Sequence, residues 1–361
     1  MVDCDRVRGP DWQPSTRSSI SDGPFLSISL ERKGAEQTMT RQVKKTAVRE
    51  SPVHPVTDGR NSRIELKSIS GAIGAEVLGV DVSKPVSDSI FADIHKAMLD
   101  HLVIFFPNQS PLSPDQLKAF AARFGEVDTA PFVYPFKLPT VVGHPEILNN
   151  VKEAADGSIN VGGFWHADVT YRERPHKAAI MYAKEAPRHG GDTMFANQYL
   201  AYETLSSGLQ KMLEGRTAVH SSAMKYGGET ARFGSVSRTR APKGEDRSFN
   251  AGMYEETESY TPHETEHPVI RTHPETNRKS LYVNRGFTSR FSEMTDDESA
   301  PLLEYLWNHA VRPEFCCRYC WSVNDLVVWD NRCTLHYAVN DYYGQRRAMQ
   351  RIAVHEESRP A

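Results

Sequence analysis

The sequence predicts a mainly β chain with flanking helices, folded round a double-stranded β-helix (jelly-roll) core. Three observations lead there. Beyond Val161 the chain breaks into many short strand-like segments separated by Gly- and Pro-containing turns, the pattern of a sandwich or barrel. Helical periodicity interrupts that pattern only at Gln198 to Leu205 and at Ser299 to Ala310. Upstream of Val161, helix signatures lie beside strand-like stretches, as cladding lies on a sheet.

Residues 1 to 62 are rich in Ser, Arg, Lys, Pro and Thr, with few aromatics and no sustained period of 2 or 3.6. Such a segment buries too little apolar surface to offset its ordering entropy, so a disordered N-terminal extension is expected. Its basic run Arg41 to Lys45 reads as a solvated tail. A single domain is expected over 63–356, followed by a tail at 357–361. Ile64-Glu65-Leu66-Lys67 alternates as a half-buried strand does. Asp88 precedes Phe91, Ile94, Ala97 and Met98, which share one helical face. His101 to Phe106 follows as a buried strand. The next helix carries Ser113 as N-cap, Pro114 at its first position and Gln116 completing a capping box. Leu117, Phe120, Ala121 and Phe124 form its apolar face before Gly125 ends it. Strands are then expected at Ala178 to Ala183, Thr193 to Ala196, Val269 to Thr272, Leu281 to Asn284, Phe315 to Trp321, Leu326 to Trp329 and Met349 to Val354. Residues 225–264, rich in Gly, Arg, Ser and Glu, read as a lid insertion.

Composition narrows the function classes. A net charge of −3 over 361 residues gives no electrostatic reason to expect nucleic acid or an anionic membrane as partner. The longest plainly apolar run, Leu102 to Phe106, is strand-sized and far short of a membrane span. Five cysteines, an odd number, argue against a disulfide framework and for a reducing compartment. No signal-peptide pattern opens the chain, so the expected location is cytoplasmic.

The chemistry-bearing residues start with His166 and Asp168, answered far downstream by His336. Two histidines and one carboxylate leave half an octahedron open, the facial triad of non-haem Fe(II) oxygenases. On a strand, positions i and i+2 project from one face, so His166 and Asp168 can reach one metal. Thr193 follows Asp168 by 25 residues in Gly190-Gly191-Asp192-Thr193, and Arg347 and Arg351 follow His336 at +11 and +15. Four residues apart, the two arginines would be neighbours on a helix, and on a strand they also share a face because the separation is even. Two guanidiniums beside a metal site need anions, which a dicarboxylate co-substrate supplies.

These residues carry a resemblance. The segment from about Ile64 to Val354 resembles the taurine dioxygenase / 2,4-dichlorophenoxyacetate dioxygenase family of Fe(II)- and 2-oxoglutarate-dependent enzymes. The matching motifs are Trp165-His166-Ala167-Asp168-Val169-Thr170, Gly190-Gly191-Asp192-Thr193, His267-Pro268-Val269-Ile270-Arg271-Thr272-His273-Pro274, Leu281-Tyr282-Val283-Asn284, and Trp329-Asp330-Asn331 through His336 to Arg347 and Arg351. The resemblance implies a cupin-like jelly roll in which His166, Asp168 and His336 bind Fe(II). It implies that Thr193 and Arg347 hold the distal carboxylate of 2-oxoglutarate, with Arg351 near its metal-bound end and the head of the primary substrate. Phe287 matches a position lining the substrate pocket. The reaction implied is hydroxylation of a small organic anion by O2, coupled to decarboxylation of 2-oxoglutarate to succinate and CO2. It also implies a homo-oligomer.

The substrate is where the resemblance thins. In the taurine-specific members a histidine after the Arg-Phe-Gly segment and an asparagine six residues before the iron-binding aspartate help hold taurine. Here Ala130 lies near the first position and Gly162 at the second, so polar partners are missing. Tyr134, Lys225 and Tyr226 stand at further pocket positions, Lys225 and Tyr226 replacing a small hydroxyl residue and a phenylalanine. A larger sulfonate, alkyl sulfate or aryloxyalkanoate is therefore expected, met by Arg351 and Lys225; taurine dioxygenase proper, releasing sulfite and aminoacetaldehyde, is the alternative.

Other signals weigh less. Cys317-x-x-Cys320 lacks the second pair a zinc site needs, and Phe315, Cys317, Tyr319 and Trp321 fit one face of a strand. His263, His267 and His273 read as loop and strand-edge histidines. The rivals from other classes are a zinc hydrolase on a similar barrel and an inactive binding protein. The first leaves Thr193, Arg347 and Arg351 without a joint purpose; the intact triad argues against the second.

Overall fold

The computed structural model describes residues 63–129, 139–156, 161–226 and 261–361. In chain order the strands are β1 (Glu65–Ser68), β2 (Ala75–Leu78), β3 (Val103–Phe106), β4 (Thr140–Val141), β5 (His144–Lys152), β6 (His176–Glu185), β7 (Thr193–Asn197), β8 (Thr217–Ser221), β9 (Glu264–Pro268), β10 (Ile270–Thr272), β11 (Lys279–Leu281), β12 (Thr288–Phe291), β13 (Cys316–Tyr319), β14 (Leu326–Asp330), β15 (Thr334–Ala338) and β16 (Arg347–His355). The helices are α1 (Asp88–His101), α2 (Pro114–Ala121), α3 (Gln198–Glu203), α4 (Ser207–Leu213), α5 (Ala223–Tyr226) and α6 (Asp296–Ala310).

Eight strands form one large sheet in the order β1-β2-β3-β14-β6-β16-β5-β4. Its central members are apolar on both faces because both faces are covered. On the outer face Ile104, Phe106, Ile180, Val328 and Ile352 pack against Ile94 and Met98 of α1 and Leu117 and Phe120 of α2. On the inner face Phe105, Val327, Trp329 and Met349 pack against Phe195, Cys317 and Tyr319 of a three-stranded sheet, β13-β7-β15. These two sheets enclose the core of the expected jelly roll. A second three-stranded sheet, β12-β8-β9, and the hairpin β10-β11 complete the described β structure. Leu303, Leu306 and Trp307 of α6 join Leu281, Phe291 and Leu335 in a further apolar cluster.

The same alternation fixes the inward residues of β16. Met349 and Ala353 face the inner cluster while Ile352 and Val354 face the helices. Arg347 and Arg351 share the odd positions, so both point between the sheets.

Local expectations fare well where periodicity is strong. The capping box of α2 forms as expected: the Ser113 hydroxyl accepts from Gln116 N, and the Gln116 side chain accepts from Ser113 N. The helix stops at Ala121, however, and Phe124 is buried from the turn beyond it. His101 closes α1 instead of opening β3, because Leu102 takes a φ of 66° that ends the helix. Phe315, Cys317, Tyr319 and Trp321 are buried, whereas Arg318 and Cys320 are not, although the strand is only Cys316–Tyr319 and Phe315 ends a 3-10 turn. Cys316, Cys317, Cys320 and Cys333 are free thiols.

Other expectations need correction. His267 lies on β9, the edge strand of its sheet, and His273 directly follows β10, yet both are fully buried. Ala361 O accepts from Thr272 N at 2.7 Å, so the last residues lie against β10. The lid proposed over 225–264 falls outside the described residues except at its two ends. No helix among the described residues is long and apolar enough to cross a membrane.

Candidate active site

A cavity of about 980 Å3, including its open mouth, lies between the sheets and is lined by His166, Asp168, Thr193, Lys225, Phe287, His336, Arg347 and Arg351, among others. Every site residue expected from sequence is thus brought together, apart from two. Tyr134, like Ala130, lies outside the described residues, and Tyr226 is known only as the last residue of α5.

His166 and Asp168 arrive differently from the expected strand. His166 makes a single antiparallel bridge with His336, each backbone N–H donating to the other's carbonyl at 3.1 and 2.8 Å. Asp168 then leaves the sheet in a turn, and Val169 takes a φ of 50°. The reason is a side chain acting as ladder partner. Asn331 Oδ1 accepts from Asp168 N at 2.7 Å, and Asn331 Nδ2 donates to the Asp168 carbonyl at 3.1 Å. A β-branched residue in the left-handed region is strained, and this double clamp helps impose it.

The outcome is a three-point cradle. The ligand atoms of His166, Asp168 and His336 all lie within 4.8 Å of one another. Both imidazoles present Nε2 to Asp168 Oδ1, at 3.7 and 3.8 Å. His166 Nδ1 lies 2.7 Å from the Phe164 carbonyl, an acceptor only, so Nδ1 carries the proton and Nε2 keeps its lone pair. Burial pushes both imidazoles down, that of His336 to about 4, so both are neutral at neutral pH. Burial would raise the Asp168 carboxyl, but the Arg351 guanidinium holds it below the usual carboxylate range. Two neutral imidazoles and an ionised carboxylate converging on one point suit a divalent cation.

A second polar locus lines the same cavity. Arg347 Nε donates to the Gly191 carbonyl at 3.1 Å, while Arg347 Nη2 is buried without a hydrogen-bond partner. Thr193 Oγ1 accepts from the indole N–H of Trp321 at 2.9 Å, which directs the hydroxyl hydrogen elsewhere. A guanidinium edge and a hydroxyl donor make a carboxylate site. Gly191 makes room for it: φ is 71°, and a Cβ would meet Pro187 Cγ at 2.8 Å and Arg347 Cδ at 3.3 Å.

In the same cavity, Arg351 Nη2 donates to Asp168 Oδ2 at 2.5 Å. Lys225 Nζ sits 4.6 Å from the centre of the Phe164 ring, and burial draws its ammonium down to about 8. Phe164 in turn stacks on His166 with centroids 4.5 Å apart. Phe287 is buried against Phe164, His166 and Tyr171, with centroids 5.0–6.3 Å apart. Gly162, with φ at 80°, lies so close that a Cβ would stand 3.3 Å from His166 Cε1. Sequence reasoning missed the parts played by Trp321, read there only as packing, and by Asn331, whose clamp becomes visible only when two distant segments meet.

His273, Asp330 and Cys333 form a second buried cluster of liganding atoms. It is a structural network. His273 Nε2 faces Asp330 at 3.0 Å and Nδ1 accepts from two backbone N–H groups, while Arg332 grips both Asp330 oxygens. Burial raises the Cys333 thiol well above its usual range, which keeps it protonated.

Comparison with known proteins agrees with this geometry. The chain is 35% identical over 302 residues to an alkylsulfatase of Acinetobacter baylyi, covering 81% of this chain and 85% of that protein. It is 32% identical to an alpha-ketoglutarate-dependent sulfate ester dioxygenase of Pseudomonas putida, covering 81% and 89%. The crystal structure of a taurine dioxygenase from Burkholderia xenovorans superposes with a TM-score of 0.65 at 32% identity, covering 82% of this chain and 91% of that one. The model of the family described as "Taurine catabolism dioxygenase TauD, TfdA family" matches residues 65–353, a span that takes in all three residues of the cradle and both arginines. With cradle, carboxylate site and fold in agreement, the chain belongs to the TauD/TfdA dioxygenase family.

Proposed function

We propose that the protein is an Fe(II)- and 2-oxoglutarate-dependent dioxygenase that hydroxylates a small organic anion: a sulfonate, an alkyl sulfate or an aryloxyalkanoate. The observation that carries this reading is the pairing, in one cavity, of the His166, Asp168 and His336 cradle with the Thr193 and Arg347 carboxylate site. A zinc hydrolase needs the first and has no use for the second. Sulfate-ester and sulfonate oxidation by relatives supports the substrate class.

In this reading His166, Asp168 and His336 hold iron, and Arg347 with Thr193 holds the far carboxylate of 2-oxoglutarate. When bound, iron and 2-oxoglutarate supply O2 activation, so that one oxygen atom enters succinate as CO2 leaves and the other enters the substrate C–H bond as hydroxyl. The chain's own contribution is placement and exclusion of water. Arg347 Nη2 and the Thr193 hydroxyl fix the co-substrate's depth by charge-assisted hydrogen bonds. Arg351, bonded to Asp168 and lining the same cavity, meets the anionic head of the substrate. Phe164, Phe195, Phe287 and Trp329 wall the reacting centre with apolar surface and keep water from it.

Anaerobic addition of Fe(II) and 2-oxoglutarate tests the reading. A weak visible metal-to-ligand charge-transfer band should appear in the wild type and vanish in Asp168→Ala. Absence of a band in the wild type, with the protein folded, would rule the reading out.

A further inference from the structure

Between the His166 bridge and the start of β6 at His176 the chain makes an excursion, residues 169–175. The residues on either side of it hang on one side chain. Asn331 Nδ2 donates to the Asp168 carbonyl at 3.1 Å and to the His176 carbonyl at 3.0 Å, while Asn331 Oδ1 accepts from Asp168 N. Within the excursion Arg172 N donates to the Val169 carbonyl at 2.9 Å, closing a turn directly after Asp168. That turn contains Val169 with its φ of 50°, and such strain persists only where the surroundings over-determine it.

The further constraint comes from Asp128. Its Oδ2 accepts from Arg172 Nη1 at 2.9 Å and lies 2.8 Å from His176 Nε2, and His355 Nε2 stands 3.5 Å from Oδ1. Asp128 is 2% exposed and His176 is fully buried. Asp128 is in turn fixed to β16, because Val127 bridges Val354 and Asp128 N donates to the Ala353 carbonyl at 3.0 Å. One carboxylate thus ties the turn after Asp168 and the point of re-entry into the sheet to the strand that carries Arg351. Burying a carboxylate is costly, and its pairs do little more than offset that cost, so what a paired one contributes is position. Asp128, Arg172 and His176 do not line the cavity, so their influence on it passes through the excursion and Asn331.

We propose that Asp128 is a positioning residue for the metal centre: through Arg172 and His176 it fixes the segment that, together with Asn331, sets the Asp168 carboxylate in the cradle. The inference deepens the dioxygenase reading and rests on it for Asp168 as a metal ligand. Partners that stand behind a ligating side chain orient it and tune its hold on the ion.

Co(II) added to the metal-free full-length protein tests this, because the visible d–d absorption of the bound ion reports affinity and coordination without turnover. Asp128→Asn keeps the size of the side chain and removes its charge. It should bind Co(II) roughly 10- to 100-fold more weakly than wild type. At saturation its d–d bands should also be shifted, since Asp168 no longer sits where the wild type holds it. An Asp128 that served stability alone would lower Tm and leave the bands unmoved. Asn331→Ala should weaken Co(II) binding as well, and the double variant should lose clearly less than the product of the two single losses, because both act on one segment. An affinity within about twofold of wild type, unshifted bands at saturation, or losses that multiply overturns the proposal. If Asp128→Asn does not fold, Arg172→Met, at a partly exposed position, removes one of the two grips and carries the same test with an expected loss of roughly 3- to 10-fold. The readings fail separately. Wild type that binds Co(II) with no dependence on Asp128 loses the positioning role alone. A Co(II) site that depends on Asp128, without a charge-transfer band from Fe(II) and 2-oxoglutarate, removes the dioxygenase alone. Wild type that binds no Co(II) removes the cradle and both readings with it.

Discussion

At the scale of the residue, the site is built by side chains standing in for backbone and by donors freed for later use. Trp321 shows the second device. By donating to Thr193 Oγ1 it leaves that hydroxyl a donor, and the proposed co-substrate carboxylate is the acceptor it lacks. Trp321→Phe keeps the ring and removes the N–H, so the fold should hold while the KM for 2-oxoglutarate rises roughly 3- to 10-fold, the worth of one hydrogen bond. An unchanged KM would show that Thr193 is oriented by something else. Asn331 shows the first device. It supplies both hydrogen bonds that a neighbouring strand would have given Asp168, and it donates to the His176 carbonyl as well. Asn331→Ala leaves buried backbone groups unpaired and opens a small cavity, so destabilisation of about 2 to 4 kcal/mol is expected in urea titrations. Metal affinity should fall with it, since Asp168 loses its anchor. Neither role was legible in the sequence. Trp321 was read as one more apolar tooth on a strand, and Asn331 needs Asp168 beside it to have a meaning.

At the scale of the element, what was legible followed from period. The central strands read as continuous apolar runs because helices cover one face and the small sheet the other, and the even spacing of Arg347 and Arg351 correctly put both on the inner side of β16. What was missed lacks period. β5 carries His, Glu, Asn and Lys near the sheet edge, and β15 is five residues long with His336 at its centre. His166 and Asp168 were expected on a strand; instead a bridge and a turn deliver them, because the Asn331 amide draws the chain out of the ladder. The start of α2 was readable because capping is local chemistry, whereas the ends of α1 and α2 were not. In α2 the reciprocal Ser113 and Gln116 bonds close an otherwise unpaired first turn. Ser113→Ala should lower stability by about 1 kcal/mol without touching turnover, because α2 packs on the outer face of the large sheet. A loss of activity at full stability would mean that α2 communicates with the cavity, which nothing in its packing requires.

At the scale of the whole molecule, the histidines buried away from the cavity contribute to how the protein meets acid. His220 and His267 face each other across β8 and β9 with ring centroids 5.4 Å apart, and neither is exposed. Burial holds His220 well below the ordinary histidine range and takes His267 down to about 4. In the unfolded chain both titrate near 6.5, so below that pH the unfolded state binds more protons than the folded one. Their contribution to stability is therefore complete above about pH 6.5 and is lost progressively as the pH falls toward 4, where His267 begins to charge in the folded state as well. The Tm of the metal-free protein should accordingly decline between pH 6.5 and pH 4, before the paired carboxylates such as Asp330 are protonated. His267→Gln keeps a donor for the Arg172 carbonyl that His267 Nε2 now contacts at 2.9 Å, but it cannot titrate. That variant should start from a lower Tm and show a shallower decline over the same interval. Identical slopes in the two proteins would place the acid sensitivity elsewhere, the cavity imidazoles of His166 and His336 being the next groups to examine.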